Sequence, residues 1–198
     1  MEPKKSIFKI ALGIILGVLV LAGVCSISGC GSGSSGSGSG AVSSTTPSPA
    51  PDTSGLPPDP GVNGKLTLVG VDADADGVRD DIQRYIALTY PNSAKTRAAL
   101  TQYAKVIQAA LLDANDKVKS VQHGEEVSKS SECLWYTLGS VDAAHKAGSL
   151  LREVALNTDE RNRAYFAYDD KLGGEVFEGT PYDQRASTCT FDVSVLPN

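Results

Sequence analysis

Ser93-Ala-Lys-Thr-Arg-Ala-Ala-Leu-Thr-Gln-Tyr-Ala-Lys-Val-Ile-Gln-Ala-Ala-Leu111 is the stretch that decides the fold of this 198-residue chain. Its apolar side chains recur three or four positions apart, which is the spacing of one face of an α-helix. Because a serine hydroxyl can accept a hydrogen bond from a free N–H of the first turn, Ser93 is predicted to cap this helix. The apolar face consists of Leu100, Tyr103, Val106, Ile107, Ala110 and Leu111.

The same spacing recurs on both sides of this helix. It predicts a shorter helix that starts at Asp81 and ends before Pro91. A third apolar face extends from Leu134 to Val154, and a fourth helix follows residue 157. Stripes of this kind usually form a core, so the segments are expected to pack together.

Three further patterns refine the fold class. Asn157, with Glu160 three residues later, resembles a capping box for the fourth helix. The polar stretch 113–128 is expected to continue or connect helices, with a break near Gly124. Residues 65–71 alternate between polar and apolar side chains, as a β-strand does. We therefore predict a mainly α fold, a small helical bundle with a minor β element.

The N-terminus is typical of a secreted protein. Lys4, Lys5 and Lys9 precede an apolar run over residues 10–24, which suits a signal peptide. The run is shorter than the about 20 residues that a membrane-spanning helix needs. Ile27-Ser28-Gly29-Cys30 then resembles a bacterial lipobox, the recognition site of the lipoprotein signal peptidase. An ordinary signal peptide and an uncleaved anchor are the alternatives.

The lipobox resemblance implies that residues 1–29 are a signal peptide and are removed. It also implies that Cys30 carries a diacylglycerol on its sulfur and a fatty acid such as palmitate on its new amino group. Attachment by two or more acyl chains is stable, whereas one chain binds only marginally. Gly31 resembles the sorting pattern for the outer membrane. The expected location is therefore the bacterial cell envelope, with the chain lipid-anchored in the outer membrane.

Composition separates a linker from a domain. Residues 30–61 are predicted to be a disordered tether, because Gly and Ser dominate its first part and Ser, Thr and Pro its second. Residues 62–198 have the length of one domain. Without residues 1–29, which hold three lysines and one glutamate, 15 of 18 basic and 22 of 23 acidic residues remain, a net charge near −7. No nucleic-acid partner is expected at that charge. The expected partner is a protein or a glycan of the envelope.

Cys133 and Cys189 are the cysteines that remain once Cys30 is acylated and Cys25 is removed. Since secreted proteins keep such pairs oxidised, we predict a disulfide between them. It would stabilise the fold by roughly 4 kcal/mol by restricting the unfolded chain. A zinc site would need further ligands at a useful spacing, and a nucleophilic thiol would need a positioned histidine.

Asp72-Ala-Asp-Ala-Asp-Gly-Val-Arg-Asp-Asp-Ile-Gln83 places carboxylates at alternate positions before a glycine. Such carboxylates converge when the chain turns sharply, and Gly77 can supply the turn. The stretch resembles the calcium loops of EF-hands, dockerins and thrombospondin type 3 repeats. The resemblance implies a structural Ca²⁺ ion in a loop over residues 72–83. The implied ligands are Asp72, Asp74, Asp76, the carbonyl group of Val78, Asp80 and Gln83.

Two positions depart from these families. Gln83 occupies the place of a bidentate acid, so the affinity should fall unless Asp81 reorients to help. Arg79 replaces the apolar residue through which two such loops pair, so the loop is predicted to be unpaired, between a strand and a helix. Magnesium is disfavoured because it retains its waters. The alternative is a solvated acidic turn whose Asp80 and Asp81 favour the next helix through its dipole.

The polar side chains outside this loop suggest no catalytic motif. The sequence has no phosphate-binding glycine loop, zinc-type histidine pair or serine elbow, and no catalytic residue is assigned. His123 is expected to be exposed, and His145 to hydrogen-bond with Asp142 at the surface. Arg161 and Arg163 are expected to lie on a surface, either in salt bridges or available for binding.

The predicted function is that of a membrane-anchored module that binds calcium structurally and acts as a binding or structural element of the envelope. The chain is accordingly not expected to be an enzyme. The alternative is a hydrolase of an envelope polymer such as peptidoglycan, which would need two facing carboxylates in a pocket. Candidates for that pair are Glu125, Glu126 and Glu132.

Replacement of Cys30 by serine is expected to abolish the incorporation of labelled palmitate in bacterial cells, because serine has no sulfur to accept the diacylglycerol. The same variant should leave the membrane fraction. Cys25→Ser is the matched control and should keep both the label and the membrane association. Equal labelling of the two variants would exclude Cys30 as the acylated residue.

Overall fold

The computed structural model describes residues 53–198, and these form a bundle of five α-helices. The prediction of a mainly α fold is confirmed. The predicted signal peptide, Cys30 and the predicted tether as far as residue 52 lie outside the described residues. No helix between residues 53 and 198 is both long and apolar enough to cross a bilayer. The helices are α1 (Asp80–Thr89), α2 (Ala94–Leu112), α3 (Lys117–Leu138), α4 (Val141–Ala155) and α5 (Asp159–Lys171).

Helix α2 is the centre of the bundle and contacts the other four helices. The predicted cap is confirmed, since the Ser93 hydroxyl accepts a hydrogen bond from the Thr96 N–H at 3.2 Å. Leu100, Ile107 and Leu111 on the predicted face are fully buried. The periodicity of the sequence therefore identified the face around which the domain packs.

Helix α3 continues through Gly124, so the expected break at that residue is wrong. A Cβ atom at Gly124 would lie 2.5 Å from the Phe177 ring and 3.0 Å from Leu172. The glycine thus allows a close approach of the C-terminal segment to the helix. The break occurs instead before α3, where the Asp116 carboxylate accepts hydrogen bonds from the first N–H groups of the helix.

The third apolar face of the sequence belongs to two helices. Gly139 adopts a left-handed conformation (φ 68°) and ends α3, which is a common way to stop a helix. The Ser140 hydroxyl then caps α4 by accepting from the Ala143 N–H at 3.3 Å. A continuous apolar pattern in the sequence can therefore span two helices that are separated by a two-residue turn.

The strand expected over residues 65–71 is absent from the part of the chain that the structure describes. The segment is irregular after a short 3-10 helix, Asn63–Lys65. The carbonyl groups of Thr67 and Leu68 accept hydrogen bonds from the guanidinium group of Arg161 instead of pairing with another strand. The alternation of polar and apolar residues over 65–71 carries no information about Arg161, which is distant in the sequence.

Arg161 is fully buried, which corrects its expected place on a surface. Its Nη2 group also donates to the Gly64 carbonyl at 2.7 Å, and its Nη1 group donates to Asn157 Oδ1 at 2.6 Å. Asn157 therefore points inward and is not the helix cap. That role belongs to Thr158, whose hydroxyl accepts from the Arg161 N–H at 3.2 Å.

Arg79 is the second buried arginine, with 1% of its surface exposed. It binds both carboxylate oxygens of Asp81, at 2.9 and 2.8 Å. It also donates to the carbonyl groups of Val154 and Ala155, which lie in the last turn of α4. A cation stabilises a helix C-terminus through the helix dipole. Arg79 thus fixes the start of α1 against the end of α4.

The predicted disulfide is confirmed: Cys133 on α3 is bonded to Cys189 near the C-terminus, with Cα atoms 5.0 Å apart. Gln102 on α2 holds the same segment. Its amide donates to the Thr188 carbonyl at 2.8 Å and accepts from the Thr190 N–H at 2.8 Å. The irregular C-terminal segment is therefore fastened to two helices.

Pro57, in the segment predicted as tether, is buried. Its carbonyl group accepts a hydrogen bond from Arg84 Nη1 of α1 at 2.8 Å. At least this part of residues 30–61 therefore packs on the bundle.

Arg161→Met is expected to lower the free energy of unfolding by about 3 kcal/mol or more, because it leaves buried carbonyl groups without donors. Arg163→Met is the matched control. Arg163 is exposed on the same helix, so its loss should change stability by less than ~0.5 kcal/mol. Urea unfolding followed by circular dichroism measures both, and equal midpoints for the two variants would contradict the structural role of Arg161.

Candidate metal centre

The acidic loop turns back on itself between residue 71 and α1. Both oxygens of the Asp72 carboxylate accept backbone hydrogen bonds, from Asp76 N–H at 3.2 Å and from Gly77 N–H at 3.0 Å. Ala75 and Gly77 are in the left-handed region, with φ of 55° and 87°. Glycine enters this region without steric cost, so the predicted role of Gly77 in the turn agrees with the backbone.

Three carboxylates converge in this turn. Asp72, Asp74 and Asp80 each offer an oxygen atom, and these atoms all lie within 4.8 Å of one another. Asp80 is 1% exposed, Asp72 is half-buried and Asp74 is exposed. Like charges at this separation repel, and a cation among them removes the repulsion. The cluster could therefore hold a metal ion.

The other predicted ligands, Asp76, Val78 and Gln83, are not part of this carboxylate cluster. Asp76 is not one of the three clustered carboxylates, and its Oδ1 accepts from the Val78 N–H at 2.7 Å. The side chain of Val78 is buried in the apolar core. Gln83 donates from Nε2 to Asp74 Oδ2 at 3.1 Å, and this bond lowers the pKa of Asp74.

Gln83 has a second feature that bears on the site. Its Oε1 atom is buried and has no hydrogen-bond partner among the described residues. If the side-chain amide of Gln83 rotated so that its oxygen and nitrogen exchanged places, the oxygen would lie beside Asp74. It would repel the carboxylate there unless a cation lay between them. In this structure the amide nitrogen of Gln83, and not its oxygen, faces Asp74.

Asp81 is committed elsewhere and does not belong to the cluster. Burial raises its pKa, but hydrogen bonds and charge attraction from Arg79, and a hydrogen bond from Asn157, bring the pKa below its usual range. A carboxylate held in this way cannot move to the metal without leaving Arg79 buried and unpaired. The hypothesis that Asp81 compensates for Gln83 therefore has no support in this geometry.

His123 is buried, with 9% of its surface exposed, so its expected exposure is wrong. Its Nε2 atom lies 3.0 Å from Asp113 Oδ2 and its Nδ1 atom 2.9 Å from Glu126 Oε2. Burial lowers the pKa of this imidazole, but the two carboxylates outweigh burial and raise it overall. The three side chains tie the end of α2 to α3.

The carboxylates considered for hydrolysis have structural partners. Glu126 binds His123, and Glu132 Oε1 accepts from the Thr180 N–H at 2.8 Å. Glu125 lies 3.6 Å from Lys129. Glu125 and Glu126 both line a cleft of about 390 Å³, but they are consecutive on one helix and do not come from opposite walls.

The comparisons with known proteins supply no relative for this chain. No protein-family model, no curated protein and no solved structure matches it.

The raised pKa of His123 makes stability depend on pH. A histidine whose pKa is raised on folding stabilises the protein fully below its unfolded pKa of ~6.5, and the contribution disappears as pH rises through the folded pKa. Wild type should therefore exceed His123→Gln in unfolding free energy most at pH 5.5, with a difference that shrinks toward pH 8.5. Glu126→Gln should weaken this dependence, and a difference that grows with pH would contradict the arrangement.

Proposed function

We propose that this chain is a lipid-anchored protein of the bacterial envelope whose helical domain binds one calcium ion structurally and acts as a binding or structural module. The observation that carries the calcium site is the convergence of Asp72, Asp74 and Asp80 within 4.8 Å. The lipobox-like residues ending in Cys30 support the anchor. An envelope protein or glycan is the proposed partner.

Calcium suits the donor set better than the alternatives. The available atoms are carboxylate, amide and carbonyl oxygens, which calcium accepts in flexible geometry. Magnesium requires a near-ideal octahedron and keeps several waters, whereas zinc prefers nitrogen and sulfur ligands. With neutral Gln83 in place of a bidentate acid, we propose an affinity in the weak range of extracellular calcium modules.

The proposed role of the ion is structural because of where the ligands lie. Asp80 is the first residue of α1, whereas Asp72 and Asp74 belong to the irregular chain before it. An ion bound to all three would clamp that chain to the helix. It would also remove the repulsion of three carboxylates, one of which is almost fully buried.

Calcium is expected to raise the melting temperature of the chelator-treated full chain in detergent. A ligand present at ten times its Kd stabilises the folded state by ~1.4 kcal/mol, which corresponds to roughly 3–6 °C for a domain of this size. Magnesium at the same concentration should shift it less. The absence of any shift at 10 mM calcium would contradict the calcium site.

Asp74→Asn supplies the matched test, because Asp74 is exposed and its loss leaves the core intact. This variant should lose most of the calcium-dependent shift. Asp170→Asn makes the same chemical change at an exposed position on α5 and should keep the full shift. If both variants respond to calcium as wild type does, the ion binds elsewhere.

A further inference from the structure

A small cleft between α2, α3 and α4 has a chemistry opposite to that of the acidic loop. It encloses about 190 Å³, and no aspartate or glutamate of the described chain lines it. The chain as a whole has 23 acidic and 18 basic residues. An anion that enters a pocket without a carboxylate avoids the repulsion that it would meet at the acidic loop. The lining of the cleft includes Tyr103, Leu134, His145, Gly148, Ser149 and Arg152.

Arg152 provides the positive charge. No carboxylate oxygen of residues 53–198 lies within 4.0 Å of its guanidinium group. Its Nη2 group donates a hydrogen bond to Ser149 Oγ at 3.3 Å, and the guanidinium group also hydrogen-bonds with the Tyr103 hydroxyl. A guanidinium group has five N–H donors, so these two contacts leave others for a ligand, and it binds phosphate or carboxylate oxygens in pairs.

Two other polar side chains of α4, His145 and Ser149, line the same cleft as Arg152. His145, Ser149 and Arg152 follow one another at the spacing of one helix face on α4. Among residues 53–198, His145 has no hydrogen-bond or ion-pair partner, so the expected bond with Asp142 is not formed. Because Ser149 accepts from Arg152, its own O–H can still donate.

Tyr103 forms the floor of the cleft from α2. Burial raises the pKa of its hydroxyl, and the nearby Arg152 partly offsets this rise. The hydroxyl therefore stays protonated and remains a donor. The cleft thus combines one fixed positive charge with an imidazole and two hydroxyl groups, all of which can donate hydrogen bonds.

We propose that this cleft binds a small oxyanion, a phosphate or carboxylate group, with Arg152 as the principal ligand. Gly148 leaves the space for it. A Cβ atom there would lie 3.7 Å from Leu134 and 3.9 Å from Tyr103, which is ordinary contact distance. A methyl group at this position would occupy part of the cleft without forcing the helices apart.

The test is a titration of the full chain in detergent with inorganic phosphate, sodium acetate or sodium chloride at equal ionic strength, followed by NMR of the backbone amides of residues 144–152. Phosphate, acetate or both should shift these signals along a saturating curve, whereas chloride should not. Curves for phosphate and acetate that match the chloride control would overturn the proposal.

Matched variants locate the site. Arg152→Gln should weaken binding by about tenfold or more, because it removes a charge-assisted hydrogen bond. Arg163→Gln makes the same change at an exposed position of α5 and should bind as wild type does. Equal affinities for these two variants would overturn the assignment.

Gly148→Ala tests the space independently of charge. Alanine is the better helix former by ~1 kcal/mol, so this variant should fold at least as stably as wild type and still bind the anion several-fold more weakly. Undiminished binding by a folded Gly148→Ala variant would show that the anion does not enter the cleft.

Discussion

The N-terminal half of the domain depends on the hydrogen bonds that two buried guanidinium groups, those of Arg79 and Arg161, donate to carbonyl and carboxylate oxygens. Both approach Gly70, where a Cβ atom would lie 2.5 Å from Arg79 Cδ and 2.8 Å from Arg161 Nη2. Asp81 pairs with Arg79, and burial together with the charge of Arg79 lowers the pKa of Arg161. Buried donors of this kind are costly unless each finds an acceptor, so the chain around them has little freedom.

The acidic loop gains its geometry from this constraint. Arg161 holds the carbonyl groups before the loop, and Arg79 holds Asp81 in the first turn of α1. The Val71 carbonyl also accepts from the Asp80 N–H at 2.8 Å. With both ends fixed, the loop can keep Asp72 and Asp80 close together against their repulsion. The proposed ion would then enter a site that is already arranged, which reduces the ordering cost of binding.

Sequence patterns predicted the elements that depend on neighbours along the chain. Ser93 as a cap, the apolar face of α2 and the alternating aspartates of the loop are all local features. The buried arginine was missed because Arg161 bonds to Gly64, 97 positions away, and a charged residue on a helix reads as exposed. His123 was missed although its partners Glu126 and Asp113 lie only three and ten positions away, because a histidine beside a glycine in a polar stretch reads as exposed. Which carboxylates converge also depends on backbone turns that composition does not specify.

Polar and covalent links help to attach the irregular segments to the bundle. The N-terminal segment leaves Val62 and Leu66 largely exposed and is held through Arg161. The C-terminal segment is held by the disulfide and by Gln102. Because these attachments are separate from the apolar core around α2, loss of one should loosen its own segment first. A calcium ion at the loop would accordingly reinforce the start of α1 without being required for the bundle itself.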